Sequence, residues 1–138
     1  MTGVQTCALP ISFLADPDLL SRAVENLVSN AIKYSPDATV VTLSARADGE
    51  FVTIEVADHG YGIPEADLER VFEKFYRVPR VQDAGVPGTG LGLALVREIA
   101  ELHHGSVSVR SEVSVKSGDK QGSTFTLRIP RNEARKES

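Results

Sequence analysis

The 138-residue chain has no tryptophan, one cysteine, one methionine and few aromatic residues of any kind, 6% in all. With Cys7 alone no internal disulfide can form, so a disulfide-stapled scaffold is excluded and stability has to come from packing. No apolar run approaches the roughly 18 residues that read as a membrane span, and no stretch has the charged start and apolar middle of a signal peptide. A dominant charge is also missing, the formal net charge being −4 with a pI near 5.4. No global field therefore draws the chain to nucleic acid or to an acidic membrane surface, and an anionic ligand needs a local basic pocket. His59, His103 and His104 have no cysteine or acidic cluster around them in sequence, which argues against a histidine-based metal centre; the last two suit a helix C-terminus.

What is present is a 41% hydrophobic chain of one domain's length, enough for a single core. Its first eleven residues, Met-Thr-Gly-Val-Gln-Thr-Cys-Ala-Leu-Pro-Ile, show no periodicity. Reverse-translated from a GTG start, they can be spelled as DNA that resembles a common sequencing-adapter oligonucleotide. Residues 1–12 are accordingly expected to be a non-native leader, residues 13–130 the folded domain, and residues 131–138 a charged tail. On that expectation the natural chain continues upstream, and Cys7 carries no redox information.

The stretch 16–35 organises the rest. Asp16 before Pro17 is an N-cap with proline at the first helical position, and Pro36 disfavours helix beyond Ser35. At about 100° per residue, Leu20, Ala23, Val24, Leu27, Val28 and Ala31 form an apolar arc, with Arg22, Glu25 and Ser29 opposite. Asn26, Asn30 and Lys33 share a strip along one border of that arc, with Tyr34 beside it. Asparagines on a border are equally compatible with an ordinary solvent edge.

Residues 39–46 and 51–57 are β-rich runs around the turn Ala47-Asp48-Gly49-Glu50, a hairpin. The second runs into Asp58-His59-Gly60-Tyr61-Gly62-Ile63-Pro64. There a carboxylate held at a strand end could accept a hydrogen bond from an exocyclic amine while Gly60 and Gly62 let a flat ring approach the backbone. Taken alone, the glycine turn is a weak signal. Residues 64–77 read as short helical turns with Val71, Phe72 and Phe75 as packing anchors, and residues 78–87 as a mobile loop. Gly88-Thr89-Gly90-Leu91-Gly92-Leu93 then opens a helix ended by Gly105; glycines there free N–H groups to face a phosphate. The spacing lacks the third glycine of a dinucleotide fingerprint and the G-K-[ST] of a P-loop, so neither of those nucleotide folds is implied. Residues 106–110 and 123–129 are two more strands joined by a long polar connection, 113–122. A helix followed by an antiparallel hairpin, then a second helix and two more strands, predicts an α+β sandwich with one sheet face covered by helices.

In order, Asn-x-x-x-Asn-x-x-Lys-Tyr, Asp-x-Gly-x-Gly-Ile-Pro, Val-Phe-Glu-Lys-Phe-Tyr-Arg and Gly-Thr-Gly-Leu-Gly-Leu resemble the ATP-binding catalytic domain of sensor histidine kinases, in the GHKL superfamily. The resemblance implies a two-layer α/β sandwich of the Bergerat type, its sheet mixed but mostly antiparallel and covered on one face by helices, with a flexible ATP lid. Carried over, it makes Asn30 the Mg²⁺ ligand and places Asn26 and Lys33 at the phosphates. Tyr34 flanks the nucleotide, Asp58 holds the adenine amine, and Gly60, Gly62 and Ile63 shape its pocket. Phe72 and Phe75 anchor the lid, Arg77 reaches the phosphates, and Gly88, Thr89, Gly90, Leu91 and Gly92 cradle them. Asn26, Lys33 and Arg77 are the implied catalytic groups; ATP and Mg²⁺ are the implied substrate and cofactor.

The implied activity is transfer of the γ-phosphoryl group to a histidine on a separate dimerisation domain, with a response regulator as downstream partner. The setting is the cytoplasm, under a parent that can itself be membrane-anchored, with no nucleic acid and no membrane insertion by this segment. Two departures stand out: His103-His104-Gly105 replaces a common His-Gly-Gly, and the 113–122 connection is long. An ATP hydrolase of the same superfamily is one alternative, against which stands Asn26 where hydrolytic members carry a glutamate. A nucleotide-binding interaction module or an anti-sigma-type serine kinase is another.

Overall fold

The computed structural model describes residues 3–8, 15–35, 40–60, 62–77, 91–112 and 122–131. Strands β1 (Gly3–Ala8), β2 (Val40–Asp48), β3 (Phe51–Asp58), β4 (Ser106–Glu112) and β5 (Gly122–Pro130) form one sheet in the order β1-β2-β3-β5-β4. All neighbours are antiparallel except β1 with β2. Helices α1 (Pro17–Lys33) and α2 (Gly92–Leu102) pack on each other and on one sheet face, α1 against β2 and β3, α2 against β4 and β5.

The sheet is amphipathic by register. Leu43, Val56, Phe125 and Val109 lie abreast across four strands, and Ala45, Ile54, Leu127 and Val107 form the next row. Both rows belong to the core beneath the helices, which contribute Ala23, Leu27, Ala31, Val96, Ile99 and Ala100. Alternate residues point to the other face, which is polar: Arg46 pairs with Glu55 at 3.8 Å, and the Arg128 guanidinium lies 3.9 Å from the Phe51 ring centroid.

Local chemistry explains the element ends. Asp16 Oδ1 accepts from the Asp18 and Leu19 N–H groups at 3.0 and 3.1 Å, so the expected cap is formed. The β2–β3 hairpin is tighter than the four-residue turn suggested, since Asp48 pairs with Phe51 and only Gly49 and Glu50 remain between them. Glycine with φ 64 at the first turn position suits a two-residue connection.

Gly3–Ala8, within the stretch whose sequence shows no periodicity, is an edge strand parallel to β2. An open sheet edge offers a row of unpaired N–H and C=O groups, and an extended segment can pair with it whatever its side-chain periodicity. Gly105 does not itself supply the left-handed residue that ends α2: His104 does, at φ 61. The His104 N–H donates to the Glu101 carbonyl at 3.0 Å and the Gly105 N–H to the Ala100 carbonyl at 2.8 Å, a Schellman closure. Glycine at 105 is instead required by contact, because a Cβ there would sit 2.1 Å from the Arg128 carbonyl oxygen of β5.

The two neighbours should therefore respond with opposite signs. His104→Gly is expected to raise stability by up to about 1 kcal/mol by removing left-handed strain, and Gly105→Ala to lower it by about 1–3 kcal/mol by forcing α2 off the sheet. Thermal melting of both variants checks this; a Gly105→Ala protein as stable as the parent would show that the close approach is not needed.

Candidate functional site

The site lies where the end of α1, the segment after β3 and the start of α2 meet. Asn26 and Asn30 are half-buried on α1, and Lys33 is exposed in its last turn. At the head of α2, a Cβ on Gly92 would stand 4.0 Å from the Asn26 side-chain amide carbon, so the glycine segment ends against the asparagine strip. Leu91 precedes α2 as its N-cap and is exposed. Gly88, Thr89 and Gly90, the loop expected at 78–87 and residues 113–121 of the expected long connection lie outside the described residues.

Asp58 ends β3 and organises the turn after it. Its Oδ1 accepts from the Gly60 N–H at 2.8 Å and from the Ser123 N–H of β5 at 3.2 Å. The turn then folds tightly against α1, since a Cβ on Gly60 would meet the Tyr34 carbonyl oxygen at 2.3 Å. On the other side, Gly122 at φ 142 passes so close that its Cβ would meet the Asp58 carbonyl oxygen at 2.1 Å. Gly60 and Gly122 thus let three chain segments close around one carboxylate. Gly62, buried at φ 78, and Ile63, buried, continue the wall, with the Ile63 N–H donating to Ser111 Oγ at 2.7 Å.

Residues 64–77 begin with a 3-10 turn, Glu65–Asp67, and remain a string of tight turns, as expected. Phe72 is buried and meets Phe125 edge-on, with ring centroids 6.1 Å apart and planes at 86°. Phe75 was expected to pack in the same way and does not: it is 71% exposed and held at φ 68. The positive φ at Phe75 takes the backbone off a helical course there, a change that periodicity in a helical reading cannot show. Tyr76 is clasped by its hydroxyl to the Asp67 carboxylate and covered by Arg70, whose guanidinium is 4.4 Å from the ring centroid. The hydrogen bond to Asp67 raises the phenol's pKa above its usual value. Arg77, exposed, donates to the Tyr34 hydroxyl at 3.4 Å and so spans from this segment to the end of α1.

Among the histidines, the Asp16 N–H donates to His103 Nε2 at 3.0 Å, while His103 Nδ1 lies 2.9 Å from the Ile99 carbonyl. One nitrogen accepts and the other donates, which fits a neutral imidazole bracing the start of α1 against the end of α2. His59 Nδ1 lies 3.3 Å from the Val40 carbonyl. Both have structural partners.

The site as built includes residues that the sequence did not single out: Ser111, Gly122 and Ser123. The available signal was slight, an isolated glycine opening a β run, which can mark a close backbone approach. A groove of about 420 Å³ on α1, lined by Val24, Glu25, Val28, Ser29, Ile32 and Lys33, includes neither Asn26 nor Asn30 and meets this constellation at Lys33.

The described residues thus form an α+β domain with two helices on one sheet face, two asparagines on one helix, a carboxylate-centred turn beside it and a glycine-led second helix. Residues 15–133 match the family described as histidine kinase-, DNA gyrase B-, and HSP90-like ATPase. The chain belongs to that family, as an ATP-binding catalytic domain of the sensor histidine kinase kind. It is 48% identical over 117 residues to the sensor-like histidine kinase SenX3 of Mycolicibacterium smegmatis, covering 85% of this chain and 29% of that protein. To the sensor protein CreC of Escherichia coli it is 46% identical over 101 residues, 73% of this chain and 21% of that one. The chain therefore spans less than a third of these relatives. The mycobacterial sensor histidine kinase MprB superposes with a TM-score of 0.80 at 28% identity, over 94% of this chain and 84% of that structure. Full-length ShkA in complex with AMPPNP gives a TM-score of 0.76 at 33% identity, over 94% and 26%. Among the described residues no helix is long and apolar enough to cross a membrane.

Proposed function

We propose that the chain binds Mg-ATP and donates its γ-phosphoryl group to a histidine on a separate dimerisation domain, the transfer step of two-component signalling. The observation that carries this reading is a carboxamide, Asn26, against the glycine-led start of α2, with the nearest acidic residue on α1, Glu25, exposed on the wall of the α1 groove. Water attack on a γ-phosphate requires a group that orients the water and takes its proton, and an amide is a very poor base. A neutral imidazole nitrogen is already a nucleophile and does not need that base. In the transfer, the imidazole nitrogen bonds to the γ-phosphorus, the bond to the β–γ bridging oxygen breaks, and ADP leaves.

The residues divide the work. Asp58 accepts from the adenine amine, and Gly60, Gly62 and Ile63 form the wall beside the base; Tyr34 flanks the nucleotide. Lys33 and Arg77 offset phosphate charge near the end of α1, with Phe72 and Phe75 at the root of the lid. Asn30 presents a hard, neutral oxygen, a donor suited to Mg²⁺, which is commonly held by few protein oxygens together with phosphates and waters. When bound, the ion neutralises triphosphate charge. Gly88, Thr89, Gly90, Leu91 and Gly92 complete the phosphate side. A response regulator receives the phosphoryl group afterwards, and the domain works in the cytoplasm, where ATP is, including in parents anchored at the membrane.

The isolated chain should bind ATP and hydrolyse it very slowly. Mixed with a matching helical hairpin that carries an acceptor histidine, it should yield an acid-labile, alkali-stable phosphoprotein without a comparable rise in free phosphate. Turnover by the chain alone on the order of 1 per second or faster, retained in Asn26→Ala, would replace this reading with that of a hydrolase.

A further inference from the structure

Ser111, near the end of β4, makes more of its hydroxyl than strand pairing requires. Its Oγ lies 2.7 Å from the Ile63 N–H, 2.8 Å from the Gly122 carbonyl oxygen and 2.9 Å from Ser123 Oγ. A hydroxyl has one proton and two acceptor positions. With the Ile63 N–H and the Ser123 hydroxyl donating to it and its own proton given to the Gly122 carbonyl, the capacity of Ser111 is filled.

The β4–β5 ladder already sets Ser111 opposite Ser123, and Ser123 in turn donates its N–H to Asp58 Oδ1. The bond to Ile63 is different, because it reaches 48 residues back to a segment outside the sheet. It closes a ring: Asp58 to Ser123, Ser123 to Ser111, Ser111 to Ile63, and along the chain through Gly62 back to Asp58. Ile63 is the residue after the φ 78 turn at Gly62, so the Ser111 contact holds the turn at a fixed distance from the carboxylate.

We propose that Ser111 is a positioning residue for recognition of the nucleotide base: it sets the Gly62–Ile63 backbone against Asp58 without touching the ligand. The proposal rests on the reading of Asp58 as the adenine acceptor. Removing the hydroxyl leaves the Ile63 N–H and the Gly122 carbonyl without this partner and frees the wall to drift, so the effect falls on whatever part of the ligand the wall meets. Adenosine, ADP and ATP share only the nucleoside, and Ser111→Ala should weaken all three by the same factor, about tenfold. Ser111→Thr, which restores a hydroxyl, should bind within about twofold of the parent.

Calorimetric titration of the parent, Ser111→Ala and Ser111→Thr with the three ligands tests this, with melting curves alongside. Equal losses for the three ligands in Ser111→Ala, rescued in Ser111→Thr, support it. Unchanged adenosine affinity in Ser111→Ala, or a loss confined to ATP, overturns it while the parent's own binding leaves the nucleotide reading standing. A parent that binds no adenosine or ATP removes that reading and this proposal together. Should Ser111→Ala fail to fold, hydrogen exchange in the parent decides: adenosine should slow exchange of the Ile63 amide and inorganic pyrophosphate should not. An Ile63 amide indifferent to adenosine overturns the assignment.

Discussion

Asp58→Asn is expected to lower ATP affinity about a hundredfold while leaving the melting temperature close to that of the parent. Asparagine keeps a side-chain oxygen at Oδ1, where the Gly60 and Ser123 N–H groups donate at 2.8 and 3.2 Å, so the turn retains its anchor. What changes is the other end of the side chain, which becomes an N–H₂ donor facing the amine that the carboxylate would accept from. Loss of a charge-assisted hydrogen bond and its replacement by two opposed donors costs about 3 kcal/mol, which is the stated factor. Asp58→Ala removes the anchor as well and should lose both affinity and stability. The comparison separates recognition from architecture: Asp58→Asn binding adenosine as tightly as the parent would end the role assigned to Asp58, whatever Asp58→Ala does.

The largest stability effect is expected at Phe125. Among the described residues it is the largest fully buried side chain, at 1% exposure, and it stands between Val56 and Val109 in a core-facing row of the sheet with Phe72 edge-on to it. Phe125→Ala deletes a ring from a place where sheet, helices and the 64–77 segment all converge, so collapse can only be partial. A loss of about 3–5 kcal/mol follows for such a cavity. That is a large part of the 5–15 kcal/mol typical of a domain. Urea unfolding gives the measurement through its midpoint and slope. Phe125→Leu should recover more than half of the loss; a Phe125→Ala cost below about 1 kcal/mol would mean that the ring is not the keystone its burial indicates.

Both predictions draw on residues of unequal legibility. Asp58 stood out in sequence because a carboxylate at the end of a β run and ahead of two glycines is a local pattern. Phe125 was legible as an inward residue of an alternating strand, whereas its contact with Phe72, from a segment 53 positions away by their numbers, was not. Phe75 shows the reverse failure, since its spacing from Phe72 resembles a helical face while its own left-handed backbone departs from one and leaves it exposed.

The sequence by itself determined what depends on near neighbours: the Asp16 cap, the apolar arc of α1 with Asn26 and Asn30 on its border, the alternation of β5, and the family motifs, because caps, helical pitch and pleat are set within a few residues. Only the tertiary structure decided what depends on distant segments meeting. It seated Gly3–Ala8 on the open edge of β2, gave His104 and not Gly105 the left-handed turn, and closed Ser111, Gly122 and Ser123 around Asp58. Those outcomes follow from unpaired backbone groups and sub-van-der-Waals clearances between strands, quantities that exist only once the sheet has brought the segments together.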